Sequence, residues 1–443
     1  MEQHSQNTER QKPWQGRAGL WSIARNGSAL MGSQLAEFGA RAVYIIFLAR
    51  FLGVEDYGVW AYGLALYGFA ISLTGFGMDA LVPLEVGKAG QSNTKIPTYL
   101  GQTLALRLVS TMVAALGLAA FLLFAETPAQ APLILLWLVP AMVGRAVALW
   151  VKTCFTAFEK AARLLRLSVP LALAEVVAGA TLLFAGAGLA AVLALHAALW
   201  CLQACIGVRM VHTRLGALKP DFSLDALTLH IRRGWSLGLS TAISGWLMAA
   251  PLLLLGHIGT DPALLGTFSL PYNLAMLVYA ALLPFLIAAL PVLSRAGERE
   301  DPRVRHYGLW VLLGAGITMG SAGLIGLLAG EATFAFALGP TYASAGALVG
   351  PCLLLAGLLL APLGYQQLLM LCVRTSPILI ANITASGMII AGFIWFVRPA
   401  EVATSLYVIA AAWATRALIL IFAGQSHKKP GAKPRVPDSF LAL

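Results

Sequence analysis

Charge is what this chain has least of. Among 443 residues only 11% are Asp, Glu, Lys or Arg, against about 25% in soluble domains. Acids are scarcer than bases, 19 against 30. That scarcity excludes a water-soluble globular domain and leaves 59% apolar residues to be housed. Cysteine is also sparse. Cys154, Cys201, Cys205, Cys352 and Cys372 all fall in or at the ends of apolar blocks, and no disulfide framework follows from them. Cys201 and Cys205 stand one helical turn apart, but no His or carboxylate follows at ligand spacing, so core thiols are expected rather than a metal pair. A Walker loop, a His-Glu-x-x-His motif and a nucleophile elbow are all missing. "GFGMDA" (75–80) fits the letters of a dinucleotide fingerprint. It sits in an apolar run rather than after a strand, which excludes that reading. No metal, no cofactor and no enzyme activity are expected.

What the chain does have is long apolar runs, in blocks of about 20 residues or more, each long enough to cross a bilayer core as a helix. Segments of about ten alternating residues, the mark of a membrane β-barrel, are absent. The expected class is an all-α polytopic membrane protein. Twelve transmembrane spans are read at about 20–48, 58–82, 99–123, 132–152, 168–185, 188–209, 235–257, 266–292, 307–328, 344–371, 377–396 and 402–422. The net charge of +11 does not imply a nucleic-acid partner, because the bases lie between apolar blocks rather than on one soluble face. Alternate connections carry about 23 Lys and Arg, and the remaining set carries two, Arg50 and Arg398. The positive-inside rule then puts both termini in the cytoplasm. Residues 1–19 form an amino tail and 424–443 a basic carboxyl tail. Residues 20–209 and 235–423 form two six-span halves joined by a cytoplasmic linker at 210–234.

The halves echo each other. Gly58 to Pro83 brackets span 2, and Gly266 to Pro291 brackets span 8, both over 25 residues. Tyr99 and Tyr307 keep the same offset of 208. Each half has an even number of spans, so the repeats run parallel, with a pseudo-two-fold axis along the membrane normal and a cavity between two six-helix lobes.

The few charges inside spans are the candidate site. In span 1, Asn26, Ser33, Glu37, Arg41 and Tyr44, with Ser22, fall within about 100° of arc at 100° per residue. A charge at mid-bilayer costs about 2.5–3.5 kcal/mol on insertion scales, so this stripe faces protein or a wet cavity. Glu37 and Arg41 are one turn apart and fit either a structural ion pair or a cavity wall. Arg25 lies near the cytoplasmic end of the same span, Arg145 in span 4 and Glu175 in span 5. Asp79 and Arg107 lie nearer the cytoplasmic edge, where Arg107 either snorkels to the interface or joins the buried set. His196 in span 6 either titrates near neutral pH or packs through a hydrogen bond. In the second half Arg416 is the exception, and span 7 is polar through hydroxyls such as Ser240 and Ser244. The expected cavity is asymmetric, with its charges mainly on one wall.

Two stretches carry a family resemblance. "LARFLGVEDYGVWAYG" (48–63) holds Arg50, Leu52, Gly53, Glu55, Asp56, Tyr57 and Gly58, and "FALGPTYASAG" (336–346) holds Gly339 and Tyr342. They resemble the end of span 1, the start of span 2 and the opening of span 10 in polysaccharide-biosynthesis flippases of the multidrug/oligosaccharidyl-lipid/polysaccharide exporter superfamily. The resemblance implies two six-helix lobes in a V around a central cavity. It implies a substrate too: an undecaprenyl-pyrophosphate-linked oligosaccharide, flipped to the periplasmic leaflet for O-antigen (lipopolysaccharide), capsule or exopolysaccharide synthesis. The location implied is the bacterial inner membrane, with membrane lipid, a polysaccharide polymerase and a chain-length regulator as partners. On physical grounds Arg25, Arg41 and Arg145 are then expected to hold the pyrophosphate. Glu37, Glu175 and Asp79 are expected to gate the cavity or carry a coupling proton or sodium ion, and Asn26, Ser33, Tyr44, Ser240 and Ser244 to line it. The alternatives are a cation-coupled multidrug exporter of the same superfamily, a peptidoglycan-precursor flippase, and a membrane polymerase or glycosyltransferase, which the short outer loops disfavour.

Overall fold

The computed structural model describes residues 17–89, 94–124, 136–158, 160–298, 303–371, 376–399 and 401–426, and among them every regular element is helical. The first helix, α1, runs from Arg17 to Leu73. Its 57 residues would extend about 86 Å, far beyond a hydrocarbon core of about 30 Å. It is broken at Gly53, whose backbone (φ 79°, ψ 172°) leaves the helical region. The expected loop at 49–57 is therefore one residue of non-helical backbone between two arms. Gly supplies the positive φ there without steric cost.

A second break follows at 74–77, where Phe76 (φ 43°) and Gly77 (φ 73°) both turn left-handed. The expected span 58–82 is thus divided, and "GFGMDA" marks the join of α1 to α2 (Met78–Ala89) rather than the interior of a span. The chain continues as α3 (Ile96–Phe124), α4 (Leu138–Ala157), α5 (Ala161–Phe184) and α6 (Leu189–Arg214). Then come α7 (Leu224–His257), α8 (Pro262–Glu298) and α9 (Arg303–Leu338). The expected span 344–371 is a 3-10 turn (Pro340–Tyr342) and three pieces, α10 (Ala343–Ala347), α11 (Val349–Leu360) and α12 (Leu363–Leu371). The last helices are α13 (Ser376–Phe396) and α14 (Val402–Gln425). The linker expected over 210–234 shrinks to 215–223, because α6 and α7 extend into it. Ser223 caps α7 by accepting from the Ala226 N–H. The Ser223 N–H and the Gln102 amide hold the Asp221 carboxyl below its usual range.

Among the described residues, ten helices are long and apolar enough to cross a membrane. Their outward faces carry bare apolar side chains: Phe124 is 89% exposed, Leu328 79% and Phe336 92%. Surface of that kind is a liability in water and ordinary in lipid. The protein is a multi-pass membrane protein.

The helices packing along α1 include α5, α3 and α4 from the first half and α7 and α8 from the second. The α1–α8 crossing explains the repeated glycines. A Cβ on Gly58 would stand 2.1 Å from the Pro262 carbonyl oxygen, and a Cβ on Gly266 would stand 1.9 Å from that of Val54. Subtracting the offset of 208 turns Pro262 into position 54 and Gly266 into position 58. The two close approaches are therefore images of each other, as a two-fold axis through the crossing requires.

The break at Gly53 is tied to the second half. Arg50 Nη1 donates to the Ala337 carbonyl at 3.1 Å, and the buried Tyr342 hydroxyl donates to that of Ala49 at 2.5 Å. Ala49 lies in the last turn before the break, where carbonyls lose regular helical partners. Gly339, at φ 104°, makes the turn that presents Tyr342. The two resemblance-bearing stretches are thus one contact. Tyr342→Phe should lower stability by about 1–3 kcal/mol, the cost of leaving a buried acceptor unsatisfied, read as a lower melting temperature of the purified protein. An unchanged melting temperature would show that the carbonyl has another partner.

Candidate functional site

Four elements bring their charges together in the first half. Arg41 and Tyr44 come from the first arm of α1 and Tyr67 from the second. Arg145 comes from α4, Glu175 from α5, and His196, Trp200 and Gln203 from α6. The spacings 196, 200 and 203 put the α6 residues on one stripe, as 168 and 175 do for Ser168 and Glu175. Small residues let the backbones close in, the usual device of membrane helix packing. Gly144, next to Arg145, lies where a Cβ would stand 2.6 Å from the backbone of Trp200 and Cys201. Gly179 does the same for α5, against the Tyr44 ring.

The Arg145 guanidinium lies 5.2 Å from the centre of the Tyr67 ring and 5.3 Å from that of Trp200. Arg41 lies over the same Trp200 ring at 5.7 Å. One indole therefore contacts two cations, each contact worth about 0.5–2 kcal/mol depending on desolvation. Glu175 Oε1 is 2.5 Å from His196 Nδ1. His196 also makes edge contacts with Tyr67 and Trp200, so it is hydrogen-bonded and packed. Arg41, Ser168, Glu175, Trp200 and Gln203 line a small cavity. Around it, Tyr44 Oη, His196 Nε2 and Trp200 Nε1 are buried and have no protein hydrogen-bond partner. Such atoms are rare enough to need a reason. Among the described side chains the cluster holds two guanidiniums and one carboxylate. It is suited to an anion rich in acceptor oxygens.

Of the other expected residues, the side chains of Arg25, Asn26, Ser33 and Glu37 lie outside the described ones, and so does the Glu37–Arg41 pairing. Asp79 is elsewhere. It accepts from Arg107 at 2.5 Å and from Thr153 at 3.0 Å, and Thr153 is eight residues, about 12 Å, beyond Arg145 on α4. Arg107 does not snorkel. It is 3% exposed and also donates to Thr74 Oγ1 at 3.1 Å. Ser110 donates to the Thr74 carbonyl at 2.7 Å. These bonds staple the left-handed break at 74–77, and Asp79 stands in the first turn of α2 where the helix dipole favours an acid. Ser244 donates to the Ser240 carbonyl on α7 and lines a cavity of the second half, not the arginine cluster. Tyr67, Trp200 and Gln203 were not legible as site residues. Aromatics are scattered through the spans, and only the packing of α6 on α4 selects these. Among the described residues no cluster of His, Cys, Asp or Glu could hold a metal ion.

The fold is shared with solved membrane flippases and transporters. The lipid II flippase MurJ in an inward closed conformation superposes with a TM-score of 0.67 at 15% identity, over 90% of this chain and 87% of that one. A multidrug resistance MATE transporter in an outward-facing conformation superposes with 0.62 at 13% identity, over 91% and 94%. A superfamily transporter from Pyrococcus furiosus, described as having a binding pocket of reverse polarity that suggests a different function, gives 0.57 at 13%, over 91% and 95%. No curated protein matches in sequence. Residues 23–296, more than half of the chain, match the family described as "Polysaccharide biosynthesis protein". The chain belongs to that family.

Proposed function

We propose that this protein flips an undecaprenyl-pyrophosphate-linked oligosaccharide from the cytoplasmic to the periplasmic leaflet of the bacterial inner membrane by alternating access. The observation that carries the reading is the shared Trp200, with Arg41 and Arg145 over one ring amid buried donors that no protein group satisfies. A pyrophosphate supplies acceptors for those buried donors and negative charge for the arginines, which can grip it through two parallel bonds. The spans number twelve, the two arms of α1 adding to the ten apolar helices, in two six-helix lobes. The Gly58–Gly266 crossing lies near the axis between them. Arg25, near the cytoplasmic end of α1, meets the head group first. Glu175, paired with His196, offsets the arginines in the empty state or carries a coupling proton or sodium ion. The product feeds O-antigen, capsule or exopolysaccharide assembly, with a polymerase and a chain-length regulator as partners.

The second reading, a multidrug exporter, is favoured by the similarity to MATE transporters. Cationic drugs would want the opposite excess of charge in the cavity, and the family match points to polysaccharide. Deleting the gene should leave lipid-linked oligosaccharide in the cytoplasmic leaflet and abolish surface polysaccharide, with drug sensitivity unchanged. Drug hypersensitivity with normal polysaccharide would support the exporter instead. The orientation has its own test, since basic residues are retained on the cytoplasmic side. Alkaline phosphatase fused after Asp261 should be active and fused after Lys219 inactive. The reverse pattern would invert the map.

A further inference from the structure

The second half contains a cavity that the arginine cluster does not explain. Its volume is about 300 Å³, and it is bounded by α7, α8, α11, α12 and α14. Most of the wall is apolar, including Leu247, Leu283, Leu286 and Leu359. Among the described residues its one charged lining group is Arg416 of α14, only 6% exposed. Arg416 Nε donates to Asn382 Oδ1 at 2.7 Å and Nη2 donates to Gln366 Oε1 at 2.8 Å. Asn382 in turn donates to Ser244 Oγ at 3.2 Å. The guanidinium is thus fixed in orientation by neutral amides. Its remaining nitrogen, Nη1, is buried without a hydrogen-bond partner. Among the described residues no carboxylate pairs with Arg416.

A buried cation is costly unless an anion neutralises it. An apolar cavity of this size, with one oriented polar group, is the usual form of a site for a small organic ligand. Phosphate or carboxylate oxygens would complete the guanidinium at Nη1, and a hydrocarbon chain would occupy the leucine wall. We infer that this cavity binds an anionic amphiphile, an alkyl phosphate or alkyl carboxylate, with its head on Arg416. The site lies on other helices than the Arg41–Arg145 cluster, and it stands whether or not the chain flips an oligosaccharide.

The test uses the full chain in nanodiscs of zwitterionic lipid, titrated with decyl phosphate, decanoate, decanol and inorganic phosphate while thermal stability is followed. Decyl phosphate or decanoate should stabilise at concentrations at least tenfold below those at which decanol or inorganic phosphate acts. A preference for decyl phosphate identifies a phosphorylated lipid as the source of the head, and a preference for decanoate a carboxylate lipid. Arg416→Gln should weaken the effect at least tenfold, and Arg416→Lys less, because it keeps the charge and loses the planar fork. Leu283→Trp, which fills the cavity and leaves Arg416 in place, should also weaken it, and decides the matter where Arg416→Gln does not fold. In Arg145→Ala the response should persist, which separates this site from the first-half cluster. Equal responses to decanol and the anions would overturn the proposal. So would unchanged binding in Leu283→Trp, or loss of the response in Arg145→Ala.

Discussion

Arg145→Ala should reduce polysaccharide export at least a hundredfold while the protein remains inserted and abundant. Arg145 is the cation held between Tyr67 and Trp200, so removing it takes away both the charge and the group that fixes the two rings. In a desolvated site a charge-assisted contact is worth more than its aqueous value. Two such contacts to one pyrophosphate, at about 1.5–3 kcal/mol each, account for a loss of this order. Lipid-linked oligosaccharide should accumulate in the cytoplasmic leaflet. Arg145→Lys should recover part of the export, since the ammonium keeps the charge and loses the bidentate face. Normal export by Arg145→Ala would remove the head-group site from α4 and leave Arg145 as a packing residue on two aromatics.

The second large effect is structural. Gly58→Val should prevent the α1–α8 crossing from closing, because its Cβ would fall 2.1 Å from the Pro262 carbonyl oxygen and 2.8 Å from the Gly266 nitrogen. Backbone cannot swing aside as a side chain can. The penalty should exceed the about 1–3 kcal/mol typical of an overpacked core, and monodisperse protein should be lost. Gly266→Val should do the same by the symmetric clash with Val54. The double variant should cost less than the sum, since both changes open one crossing. Gly68→Ala, ten residues along the same arm with nothing within 4 Å of its Cβ, is the control and should be neutral or slightly stabilising. Wild-type stability in Gly58→Val would mean that this crossing does not hold the halves together.

That crossing also shows what the sequence made legible. Gly58 and Gly266 stood out because the same spacing to a proline recurs 208 residues on, and the reciprocal contact is what such a duplication predicts. The buried arginines stood out because charge is rare in apolar runs and needs a partner there. The breaks were harder. The run 58–82 is apolar apart from a few residues such as Asp79, and nothing in its hydropathy marks 74–77. The turn rests on Gly77 and on a staple from Arg107 and Ser110, which come from another helix. Residues 344–371 likewise read as one apolar span, whereas helical pieces joined at 361–362 form it. Trp200 and Tyr67 could be chosen only once α6 was seen against α4 and α1.

The central claim is that the cavity serves a lipid-linked pyrophosphate. Its most direct test is transbilayer movement in proteoliposomes of a fluorescent short-chain prenyl-pyrophosphate oligosaccharide, measured by quenching from outside, beside uptake of a cationic dye. The account predicts flipping of the prenyl-pyrophosphate sugar in wild type, its loss in Arg145→Ala, and no dye transport in either. Dye transport without flipping of the lipid-linked sugar would contradict it.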